Sequence, residues 1–200
     1  MRIYVREWIA FIIIYISMKN IKNITIETER LLLVPTTKAY ATEIFNEFNE
    51  EVTKDMRFAP SKNIEETEKN IQEAIQKMNE GIVKDFIVLE KATKEFIWRI
   101  TLTNIHTVTP IIGLRVKTGS QGKWYGKEMV KTTIDWAQKN VHFEYITYKV
   151  NSENFRSIKV IERIGGVMVY DEEWNPLLEK RSTIGKTSEQ YEFTYRIFKK

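Results

Sequence analysis

The stretch Gln121-Gly122-Lys123-Trp124-Tyr125-Gly126 stands between a run that reads as a strand and a run that reads as an amphipathic helix. Over 122–139, Tyr125, Met129, Thr133 and Trp136 fall on one line, with Val130, Ile134 and Ala137 beside it. Lys127, Lys131, Asp135 and Lys139 lie outside, which is the pattern of a helix with one buried face. A glycine-bearing loop at such a helix start can turn backbone N–H groups toward an anion, because the first four lack intrahelical partners. The alternative is an ordinary strand-to-helix turn, in which Gly119 and Gly122 make the bend and the lysines are surface residues.

Working outward, residues 24–34 are rich in β-branched residues and leucine and predict a strand ended by Pro35. Thr36 or Thr37 can cap a helix over 39–51 that turns Ile44, Phe45 and Phe48 to one side. A second helix is predicted after Ser61 or Asn63, running to Glu80 with Ile64, Thr67, Ile71, Ala74, Ile75 and Met78 as its stripe and Gly81 as its stop. Extended runs at 82–89, 96–103 and 109–117 are joined by short connections, so they should pair antiparallel. Beyond the central helix come a strand at 141–150, a helix at 154–164 ending in Gly165-Gly166, and strands at 167–170 and 191–198. A long polar stretch containing Pro176 and Gly185 links those last two. This order predicts an α/β (mixed α+β) fold, with a central mixed but mostly antiparallel sheet of about six to seven strands and helices on both faces. Ligands in such sheets favour the carboxyl ends of parallel strands.

A chain of 200 residues predicts one domain, placed at 24–200 after an apolar extension at 1–23. Within that extension Trp8 to Ile16 is almost wholly apolar and follows Arg2 and Arg6, yet it is too short to span a bilayer. A buried or self-associating extension is the first reading, a true start at Met18 the second and a membrane-touching segment the third. The 31 Lys and Arg against 27 Asp and Glu give +4, an excess suited to a polyphosphate ligand but with no dense basic stripe. Direct nucleic-acid binding is therefore not expected. With no cysteine there is no disulfide framework or thiol nucleophile, and His106 and His142 alone do not make a metal site.

Three patterns together resemble the GNAT superfamily of N-acetyltransferases, in the branch of Rim-type enzymes that acetylate amino termini of ribosomal proteins. They are Glu29-Arg30-Leu31-Leu32-Leu33 at the start, the loop Gln121 to Gly126, and Asn154-Phe155-Arg156-Ser157 leading a helix that closes on Gly165-Gly166. The resemblance covers residues 26–198.

This resemblance implies a cytoplasmic enzyme, monomer or homodimer, that moves an acetyl group from acetyl-CoA to a primary amine without a metal. The acceptor it implies is a protein or peptide amino terminus; a small amine or antibiotic is the alternative, and a GNAT-like binding or regulatory domain with impaired catalysis is another. It places the pyrophosphate in a cradle of Gln121, Gly122, Lys123, Trp124, Tyr125, Gly126 and Lys127, and the pantetheine arm along the backbone of Leu114, Arg115, Val116 and Lys117. A backbone N–H near Leu114 would polarise the thioester carbonyl. Asn154 is the side-chain candidate for touching CoA or acceptor, or else the cap of its helix. Ser157 matches a position whose hydroxyl can protonate the departing thiolate, or is a plain first-turn residue. The tyrosine that some relatives carry one turn later is Ile161 here. Glu172 or Glu173 is the candidate base for the amine. Trp124 occupies a position normally held by glycine: turned inward its indole obstructs the cradle, turned outward it leaves it open. Trp98 also stands near a usual glycine, so the two indoles either meet or pack independently.

Overall fold

The computed structural model describes residues 24–53, 59–170, 178–180 and 191–200. The extension at 1–23 and both Glu172 and Glu173 lie outside them. Among the described residues nine strands make one sheet in the order β1-β2-β3-β4-β5-β6-β9-β7, with β8 also pairing β9. These are β1 Ile26–Glu27, β2 Leu31–Pro35, β3 Val83–Glu90, β4 Phe96–Thr103, β5 Ile111–Val116, β6 Tyr145–Asn151, β7 Val167–Met168, β8 Leu178–Lys180 and β9 Tyr191–Phe198. Among the described residues five α-helices accompany them: α1 Ala41–Glu47, α2 Glu50–Thr53, α3 Ile64–Asn79, α4 Tyr125–Asn140 and α5 Phe155–Arg163.

Helices cover both faces, as the order of elements predicts. On one face α4 and α5 bury Met129, Val130, Ile134, Ala137 and Ile161 against Ile97, Ile100, Leu102, Ile112, Ile146 and Tyr148. Every residue assigned to the buried lines of α4 from its periodicity is buried. On the other face α1 and α3 bring Ala41, Ile44 and Ile71 onto Ile87, Leu89, Phe96 and Trp98. A bulge shifts the β3–β4 register at Val88/Leu89. Ile97 is the extra residue there, and it joins the first cluster while Phe96 and Trp98 both join the second.

Local chemistry moved several boundaries. The strand expected at 24–34 is two, β1 folding back antiparallel on β2 with Ile26 opposite Leu33. Thr28 makes that turn: its hydroxyl accepts the Leu31 N–H at 2.8 Å, and its own N–H donates to Leu31 C=O at 2.9 Å. The helix expected at 39–51 stops at Phe48, because Asn49 accepts the Val52 N–H at 3.1 Å and starts the short α2. Thr37 makes no side-chain cap, and the Thr36 hydroxyl donates instead to Asp85 at 2.8 Å. Asn63 does cap α3, accepting from Glu66 N–H at 2.9 Å. A three-residue strand, β8, stands in the polar stretch where no strand was expected. The count of nine includes this piece and the two-residue strands β1 and β7.

Candidate functional site

The neighbouring strands β5 and β6 are parallel, and their ladder consists of the single pair Ile111↔Thr147. Beyond it β5 continues beside β4 up to Trp98↔Val116, and β6 continues beside β9 up to Asn151↔Glu192. The two strands therefore splay apart toward their carboxyl ends. Thr147 N–H donates to Pro110 C=O at 2.8 Å, and Lys117 N–H donates to Ile97 C=O at 3.1 Å. Because successive amides alternate direction in a strand, these two bonds fix the rest: Leu114 and Val116 turn their amides to the gap, and Arg115 and Lys117 turn theirs to β4. Of the four residues expected to present backbone to a ligand, two face it through the main chain.

At the mouth of the gap the loop 121–124 leads into α4. Gly122 (φ 80°) and Trp124 (φ 65°) are both left-handed, which holds the chain out of the helix until Tyr125. No side chain caps α4, so its first N–H groups stay open toward the loop. Gly126 lets this end approach β5 closely: a Cβ there would stand 3.2 Å from Leu114 Cδ1. Trp124 turns outward, 53% exposed, and Arg163 stacks on its ring at 4.4 Å from the centroid. Trp98 is 1% exposed among Phe48 and Phe96, so the two indoles pack independently.

Gln121 is fixed from both sides of the gap. Its amide nitrogen donates to Val116 C=O at 3.3 Å, and its oxygen accepts from Arg156 Nη1, on α5, at 2.8 Å. This contact ties the start of α5 to the loop. There Asn154 is the N-cap, its oxygen accepting Ser157 N–H at 3.0 Å. The Ser157 hydroxyl bonds to that of Tyr148, a buried residue of β6. Burial raises the Tyr148 phenol to about 12, ahead of the opposing effect of the Ser157 bond, so it stays protonated at neutral pH. Ile161, one helical turn beyond Ser157, is fully buried in the core.

A further set of residues holding the loop has no local signal in the chain. Arg30 donates from Nη1 to Lys123 C=O at 3.0 Å and pairs with Glu128 of α4 at 2.6 Å, while its guanidinium lies over the Tyr125 ring. The Tyr125 hydroxyl in turn donates to Glu90 at 2.7 Å. That bond is the main reason the Glu90 carboxyl lies below, and the Tyr125 phenol above, its ordinary range. Arg30 belongs to the quoted Glu29-Arg30-Leu31 pattern, but its partners are 93 and 98 residues away. A row of open amides ending at an uncapped helix start suits an extended ligand with amide groups in its arm and anionic groups at its end. Among the described residues no three acidic or histidine side chains converge as a metal site, and no helix is long and apolar enough to cross a membrane.

Several solved structures share this fold. One is the microcin C7 self-immunity acetyltransferase MccE in complex with acetyl-CoA and AMP, with TM-score 0.73, 15% identity, and 86% of this chain and 93% of that chain covered. Another is RimL, the ribosomal L7/L12 alpha-N-protein acetyltransferase (TM-score 0.74, 13% identity, 88% and 94% covered). A third is the spermidine N-acetyltransferase from Vibrio cholerae in complex with CoA and spermine (0.72, 17%, 86% and 97%). No curated protein matches by sequence. The model of the acetyltransferase (GNAT) domain family matches residues 30–167, a span that takes in the Arg30 clamp, the loop at Gln121 and the paired hydroxyls of Tyr148 and Ser157, and the chain belongs to that family.

Proposed function

We propose that this protein transfers an acetyl group from acetyl-CoA to a primary amine, most specifically a protein or peptide amino terminus, as in the Rim-type branch. Acetyl transfer is the activity of the family as a whole; the acceptor and the residue roles are our reading. The observation that carries it is the splay of β5 from β6 beside the uncapped start of α4. The Leu114 and Val116 amides suit the amide groups of a pantetheine arm, and the N–H groups beyond Trp124, with Lys123 and Lys127, suit a pyrophosphate. Bound there, acetyl-CoA would supply the acetyl thioester. The Leu114 N–H is then the candidate oxyanion donor, and Ser157 the proton donor to the leaving sulfur, with the Tyr148 hydroxyl behind it. Glu172 and Glu173 are retained as the candidate bases for the amine. Asn154 positions Ser157 through its cap.

Calorimetric titration with acetyl-CoA tests this reading on the unmutated chain and on Trp124→Gly. Because the indole faces outward, both should bind. Removing it exchanges a stacked cation worth about 0.5–1 kcal/mol for relief of a left-handed backbone of similar size, so stability should change by less than about 1 kcal/mol. Absence of binding by both chains would defeat the acetyltransferase reading. A second reading, a GNAT-like binding domain without catalysis, draws on Ile161 occupying the core where a tyrosine would otherwise serve. It predicts saturable binding with no release of CoA thiol for any amine offered.

A further inference from the structure

On the face of the sheet opposite α4, the strand that turns Leu114 and Val116 to the gap also carries an unbalanced charge. Asp85, 2% exposed, is held by Arg99 through two nitrogens, one at 2.7 Å, and by the Thr36 hydroxyl at 2.8 Å. That pair is neutral in sum. Arg115 stands directly across from Arg99 in the β4–β5 ladder. It is half-buried with its guanidinium 5.3 Å from the centre of the Phe48 ring, and among the described residues no carboxylate pairs with it. Lys117, two residues on, is by contrast satisfied by Glu95 at 2.7 Å.

Phe48 also touches Trp98, whose ring centre lies 6.3 Å away. The Trp98 indole Nε1–H is buried and has no acceptor. Two donors without acceptors thus flank one aromatic ring. The indole N–H is costly when unmatched because it forfeits its water bonds, while the half-buried guanidinium keeps donors open to a ligand. Burial, aided by the neighbouring Arg99 charge, draws the Arg115 guanidinium down to about 10, still charged at neutral pH.

We propose that Arg115, over Phe48 at the carboxyl end of β5, is the acceptor-specificity residue, binding a carboxylate placed one residue from the reacting amine. The proposal rests on the acetyltransferase reading for what the site is for, but not for whether it binds. The carboxylate should be a single one. A neighbouring cavity of about 300 Å³ is lined by Glu43, Glu47 and Glu95 against Lys94 and Lys117, the last already paired with Glu95, so its charge does not favour a run of acidic residues. The fit is therefore a peptide whose second residue alone is Asp or Glu.

The test uses two tetrapeptide amides with free amino termini, Ala-Asp-Gly-Gly and Ala-Asn-Gly-Gly, titrated calorimetrically into the full chain with and without saturating CoA. Asp-peptide binding about tenfold tighter than that of its amide twin is expected, the size of a charge-assisted bond. Arg115→Met should bring the ratio to about one, and Arg115→Lys should keep part of it. Should the methionine variant not fold, raising the salt on the unmutated chain must still shrink the ratio. Equal affinities, or no binding of either peptide, would overturn the proposal, as would a preference that survives Arg115→Met. CoA binding is read separately, so a chain that prefers the Asp peptide yet takes no CoA would defeat the acetyltransferase reading and leave the subsite standing.

Discussion

β3 and β5 lie one strand apart in the same sheet, yet the chain treats their backbones differently. β3 is laddered on both sides, from Leu31↔Glu90 to Pro35↔Phe86 with β2 and from Val83↔Thr103 to Leu89↔Phe96 with β4. β5 is laddered fully on one side and by a single residue pair on the other. In the first region the main-chain polar groups are consumed by the fold; in the second the N–H groups of Leu114 and Val116 are left available, while the Val116 carbonyl accepts from Gln121. Paired and unpaired backbone are thereby separated along the sheet, which is how a rigid scaffold can hold an open edge without losing its core.

The same substitution in both regions gives the sharpest test of that separation. Ile87→Pro removes an N–H from a doubly paired strand and should cost more than about 3 kcal/mol, read as a lost or shifted urea transition. Val116→Pro removes a donor facing the gap and no ladder bond, and its ring keeps much of the apolar contact of the half-buried valine, so it should shift stability by about 1 kcal/mol while weakening acetyl-CoA about tenfold. A large loss of stability for Val116→Pro would show that the gap edge is structural after all.

Next in size is Asp85→Ala in the closed region, which leaves Arg99 buried beside Arg115 with its carboxylate removed. A loss of about 3 kcal/mol is expected by urea denaturation. A change within about 0.5 kcal/mol, the usual range for exposed pairs, would contradict the burial of this cluster.

The smallest effect concerns the hydroxyl pair at the far wall of the gap and depends on pH. Burial raises the Tyr148 phenol from 10.0 to about 12, so the folded chain holds this proton more tightly than the unfolded one. Its contribution is fully present below pH 10 and is lost as pH rises toward about 12. It amounts to about 2–3 kcal/mol over that window. Tyr148→Phe should flatten part of the alkaline decline in denaturation free energy. Tyr195, raised in the same direction by burial and by its bond to Glu162, should supply most of what persists. An unchanged alkaline slope would mean that the Tyr148 hydroxyl is not buried as described.

Much of this organisation is legible from the chain. The lines of apolar residues in α4, the Asn63 and Asn154 caps and the antiparallel run of β3 to β5 all follow from local periodicity and capping chemistry, which act within a few residues. The loop at Gln121 to Gly126 stands at the start of its helix as its glycines imply. The direction of Trp124 does not follow from sequence, since it depends on a left-handed backbone and on Arg163 arriving from α5. Nor do the Arg30 clamp, the Tyr148 partner of Ser157 or the lone charge of Arg115, each of which depends on what stands across a strand or helix.

By itself, the sequence determined most of the segments that become helix or strand, the Asn63 and Asn154 caps, and that a glycine loop precedes an amphipathic helix, because those are set by neighbours three or four residues apart. Only the tertiary structure decided that β5 and β6 part after one pair, that the amides of Leu114 and Val116 rather than those of Arg115 and Lys117 face the gap, and that Trp124 leaves it open. Those outcomes depend on strand register and on contacts between residues tens of positions apart, which no local pattern encodes.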